Sequence, residues 1–134
     1  MTGTTDDELK IIIPEHMEKG FLENIIDMFR HYDNLYPLIV DMIKDERMRV
    51  RLGTTALVEE LIKDTPGPLI ELIPSIGELL KDPSSAIRGD AANLLGIIKH
   101  KDALPYLLQA ENDADNDVRE IVREAISDIK SIVK

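Results

Sequence analysis

One spacing, present three times, restricts this chain more than any other feature. A proline is followed eight residues later by an aspartate and six residues after that by an arginine. The copies are Pro37, Asp45, Arg51; Pro74, Asp82, Arg88; and Pro105, Asp113, Arg119. Each arginine follows a β-branched apolar residue, Val50, Ile87 or Val118. A fixed internal register of this kind marks a stack of like supersecondary units, none of which buries its apolar stripe alone.

The apolar pattern makes those units helical. After each arginine, apolar or small residues recur at helical spacing, as in Val50, Thr54, Leu57, Val58 and Leu61. Each proline falls in or near a helix that precedes the aspartate. Pro37 suits a first turn, where its missing N–H is not needed. Pro74 falls inside the segment from about Leu69 to Leu80 and predicts a kink or a split. Each aspartate is expected to cap the start of a second helix, over about 46–63, 83–99 and 117–133. The prolines stand 37 and 31 residues apart, the excess lying in the breaker Asp64-Thr65-Pro66-Gly67-Pro68.

Ahead of the repeats, residues 18–32 read as a capping helix with the stripe Phe21, Leu22, Ile25, Ile26 and Phe29. Residues 1–14 read as a flexible arm. A Thr5–Glu8 capping box is available there, but Pro14 is expected to end any helix early. The whole of 1–134 reads as one domain, with the three repeats over 34–134.

The register resembles that of HEAT repeats, particularly the short HEAT-like repeats of bacteria and archaea that are also found in phycobilisome lyase subunits. The closest run is Ile87-Arg88-Gly89-Asp90-Ala91-Ala92-Asn93-Leu94-Leu95-Gly96. The resemblance covers about 34–134. It implies an all-α fold, a right-handed alpha-alpha superhelix (a HEAT-like solenoid) of about three and a half helical hairpins. It also implies a structural ladder made of Asp45, Arg51, Asp82, Arg88, Asp113 and Arg119. The resemblance further places the second-helix side opposite the apolar stripe on the inner, concave face. That side offers Glu59, Lys63, Gly89, Asn93, His100, Glu120 and Glu124 as candidate partner contacts. It reads as bare around Gly89 and Gly96 and acidic toward the C-terminus.

Composition narrows the function. A net charge of −10 disfavours nucleic acid and anionic membranes, both of which select clustered Lys and Arg. The chain has no cysteine, so thiolate metal sites and thiol catalysis are excluded. Asp113, Asp115, Asp117 and Glu124 imitate positions of an EF-hand loop, but Val118 stands where that loop requires glycine. His16, His31 and His100 are scattered, and no nucleophile or phosphate-loop motif appears. These features predict a cytoplasmic, non-catalytic module without cofactor or metal, a monomer or weak homodimer. Its expected partner is a protein or peptide, preferably basic, held on the concave face. The other reading is an accessory or regulatory subunit of an enzyme complex. That subunit docks by an end or by the convex face, for instance at a patch on the N-terminal helix or around Ile121, Ile132 and Val133.

Overall fold

The computed structural model describes residues 6–132. Among them the fold is all-α, without strands, and is arranged as a HEAT-like helical repeat. The order is α1 (Asp6–Glu18), α2 (Leu22–His31), α3 (Leu38–Met42), α4 (Met48–Leu61), α5 (Pro66–Ile70), α6 (Ile73–Glu78), α7 (Ser85–Ile98), α8 (Leu104–Gln109) and α9 (Asn116–Ile132). The long second helices α4, α7 and α9 pack in sequence, and α6 packs against α8 in the layer of first helices.

The prolines explain why the first helices are short. Pro37 sits just before α3, and Pro74 and Pro105 lie in the opening turns of α6 and α8. A short helical prelude precedes each: 3-10 turns at Asp33–Leu35 and Lys101–Ala103, and α5 before Pro74. The break at Pro74 is therefore a split. A proline cannot supply the N–H that would join prelude and helix into one rod.

The N-terminus corrects the expectation of an arm over 1–14. Residues 6–14 are part of α1, which runs through Pro14; residues 1–5, and with them the Thr5 cap, lie outside the described residues. The reason is burial. Ile13 and Met17 are only 1% and 5% exposed. Met17 lies over Gly53 of α4, where any side chain would overlap its sulfur. Packing on α4 outweighs the local break that proline imposes. The capping element is consequently a hairpin and not the single helix placed over 18–32. It turns at Gly20, whose φ of +91° is a left-handed conformation natural to glycine.

The core is aliphatic along its length, with Phe29 and Tyr36 as the aromatic contact, edge to face at 5.5 Å. Tyr36 is 1% exposed, and its hydroxyl bonds Thr65 Oγ1 at 2.8 Å. That bond satisfies a polar group that would otherwise be costly to bury.

Candidate functional site

The repeated aspartate and arginine build the same turn three times. Each aspartate Oδ1 accepts the backbone N–H two residues on: Arg47 for Asp45, Ser84 for Asp82 and Asp115 for Asp113, all at 2.9 Å. These are Asx turns, which set the chain direction ahead of the helix. Each arginine then donates to the carbonyl of its own turn aspartate, Arg51 to Asp45 at 2.8 Å, Arg88 to Asp82 at 2.9 Å and Arg119 to Asp113 at 2.6 Å. The six-residue spacing thus places the guanidinium one turn into the helix, reaching back over its start.

The aspartates are not the helix caps that the sequence suggested. The cap position falls two residues later, on Arg47 for α4 and Ser84 for α7. The Ser84 hydroxyl accepts the Ile87 N–H at 3.4 Å, and Asp115 Oδ1 accepts the Asp117 and Val118 N–H groups. The Asx turn inserts those two residues between aspartate and helix.

The ladder between repeats is regular at one step only. Arg88 reaches Asp113 of the next hairpin by two parallel bonds, Nε to Oδ2 at 2.9 Å and Nη2 to Oδ1 at 3.1 Å. Arg51 instead passes over the turn of the next unit to bond Asp90 Oδ2 on α7, at 3.0 Å. This irregular step spans the longer, 37-residue interval between prolines. At the near end, where no upstream repeat arginine exists, Arg47 holds Asp45 with two bonds of 2.9 Å. At the far end Arg119 turns to Asn116 of its own helix.

The carboxyls respond to these partners. The hydrogen bond from Arg47 holds the Asp45 carboxyl below its ordinary range, and the bond from Arg88 does the same for Asp113. Asp90 moves the other way, because burial outweighs the help of the Arg51 guanidinium. Asp113 and Asp115 are thus engaged in a turn, an ion pair and a helix cap, tasks distinct from those of calcium ligands.

The expected partner face is only partly exposed. Glu59, Lys63, Asn93, Glu120 and Glu124 are on the surface. Lys63 pairs with Glu60 at 2.7 Å. His100 accepts the Asp102 N–H on Nδ1 at 3.1 Å, a task in its own turn. Gly89 is buried: a methyl there would stand 3.4 Å from Ile121 Cδ1. At Gly96 it would stand 3.2 Å from the Ala125 methyl. The middle of the face is therefore covered by α9. Its glycines let α7 and α9 run much closer together than α4 and α7.

The wider step leaves a groove of ≈ 400 Å³ across the starts of α4, α7 and α9. Met48 and Leu52 form one wall, at 64% and 62% exposed. Asp115 and Asp117 line the opposite side. A second groove, ≈ 530 Å³, lies between α2 and α4 and includes Glu59 with Glu23, Asp27 and Arg30. Sequence reasoning nominated neither Met48 nor Leu52, although Leu52 falls on the side opposite the apolar stripe. The available signal was an apolar pair one helical turn apart, on a side that the apolar stripe does not use.

No group of three or more His, Asp or Glu side chains is arranged for a metal ion among the described residues. No helix among them is long and apolar enough to cross a membrane.

No curated protein matches the chain. The family model described as HEAT repeats matches residues 36–127, which takes in all three turns and both steps of the ladder. The chain belongs to the HEAT-repeat family.

Proposed function

We propose that the protein is a non-catalytic interaction module that holds a partner protein or peptide on the face formed by α4, α7 and α9, and that the partner is basic. The observation that carries this reading is the exposure of Met48 and Leu52. Two large apolar side chains stand one turn apart on a helix whose other apolar residues are mostly packed away. Exposed apolar surface with a polar rim is the usual mark of an interaction site. The surface acids Asp117, Glu120 and Glu124, with the chain's net charge of −10, favour a basic partner and speed its encounter at low salt.

A photoreactive amino acid placed at Glu124, and separately at Glu71 in the layer of first helices, tests the reading in an extract of the native host. Adducts are expected from position 124 and not from 71, and they should diminish when Glu120 is reversed to lysine. Adducts from 71 alone, or adducts indifferent to the reversal, would refute it.

One observation favours docking by an end, as an accessory or regulatory subunit of an enzyme complex. Ile11, Ile12 and Phe21 of the N-terminal hairpin are 62%, 38% and 47% exposed. At the C-terminal end Ile132 is exposed and Ile121 is tucked against Gly89; Val133 lies outside the described residues. Cross-linking from Ile11 in preference to Glu124 would select this second reading.

A further inference from the structure

The groove between α4 and α7 differs from the rest of the partner face in joining an apolar wall to an unanswered charge. Its wall is Met48 and Leu52, its floor Ala86 and Gly89, and its far side Asp115 and Asp117. Among the described residues Arg51 is the one cation in its lining. That guanidinium is already bonded to Asp90 and to the carbonyls of Asp45 and Glu46. Asp115 gives one oxygen to capping α9, whereas Asp117 is exposed and has no ion-pair partner among the described residues. The groove therefore presents a strip of apolar surface beside a net negative charge.

Resting on the interaction-module reading, we infer that this groove takes a peptide segment presenting a large apolar side chain next to a lysine or arginine. The apolar side chain covers Met48 and Leu52 above the exposed Ala86, beside Ile121, which covers Gly89. The cation meets the Asp115–Asp117 side. A second copy of this chain is the wrong occupant on charge, since it brings another −10 to an acidic rim. Side chains that matched the wall alone would leave Asp117 without a counter-charge. An acidic segment would be repelled.

A phage-displayed library of random dodecapeptides, selected on the full chain, tests the inference. The enriched peptides are expected to share a large apolar residue adjacent to Lys or Arg. Synthetic versions, followed by fluorescence anisotropy, should bind the Leu52→Ser variant roughly tenfold more weakly, as loss of one apolar contact predicts. With Asp117→Asn the loss should be about threefold and the salt dependence shallower. Both positions are exposed, so the variants should keep the wild-type circular dichroism and melting temperature.

Selection of acidic or purely apolar peptides, or no enrichment at all, would overturn the inference. So would equal binding to wild type and both variants. Concentration-dependent dimerisation abolished by Leu52→Ser would assign the groove to self-association instead. None of these results bears on cross-linking at Glu124. If that cross-linking persists when peptides fail, the assignment of this groove is lost and the interaction-module reading stands.

Discussion

Arg88 holds Asp113 of the following hairpin by two parallel hydrogen bonds while closing its own turn on the Asp82 carbonyl. One side chain therefore fixes the start of α7 and ties that start to the next unit. Its counterpart Arg51 also does both, but its second partner is Asp90, a helix residue without a repeat equivalent. The two steps are alike in donor and different in acceptor, which makes their acid responses different.

The Asp113 carboxyl titrates below its unfolded value of about 3.9 because of Arg88. Its contribution is present above that value and is lost as pH falls through the folded one. Asp90 titrates above its unfolded value through burial, so its charge costs stability at neutral pH, and that cost disappears on acidification. Asp113→Asn should lower the melting temperature by several degrees at neutral pH, whereas Asp90→Asn should leave it unchanged or raise it slightly. In melts taken to progressively lower pH below about 3.9, the gap between Asp113→Asn and wild type should narrow.

Gly77 of α6 lies under the ring of Tyr106, and a methyl at that position would overlap it. Gly77→Ala should destabilise the protein by about 2 kcal/mol, as overpacking does in well-filled cores. Combined with Tyr106→Ala, the same change should cost much less than the sum of the two. Urea titration of the double-mutant cycle measures the coupling. Additive losses would show that the ring does not set the requirement for glycine.

Lys99 ends α7 in the left-handed region at φ 53°, with its N–H bonded to the Leu95 carbonyl at 3.0 Å. Glycine adopts that conformation without the penalty a side chain carries. Lys99→Gly should raise stability by up to about 1 kcal/mol, read as a higher urea midpoint at unchanged slope.

Ile13 tests the place of α1 in the domain. Its side chain is fully buried, so its replacement by alanine should cost about 3 kcal/mol in a denaturant titration. A loss near zero would mean that α1 docks without contributing to the core.

The three-unit organisation was legible because Pro, Asp and Arg each do a local job at a fixed offset from a helix end. The apolar stripe was legible for the same reason: Val50, Leu57, Val58 and Leu61 follow helical spacing and are fully buried. The arm at the N-terminus was misjudged because local rules see Pro14 but not the Met17–Gly53 contact, which brings together residues from separate hairpins. Gly89 misled for a related reason. Glycine marks close approach in sequence, yet only the fold shows that the approaching element is α9 of the same chain. The Arg51–Asp90 bond could not be read at all, because an offset between repeats depends on how the extra residues before Pro74 are accommodated.

The unequal steps between second helices have a mechanical consequence. With the Arg88–Asp113 tie and the glycine-backed seam between them, α7 and α9 form a stiff block. The join to α4 is held more sparsely. Tension applied to the termini in an optical trap should open that join first, releasing the two parts of the molecule as separate rips.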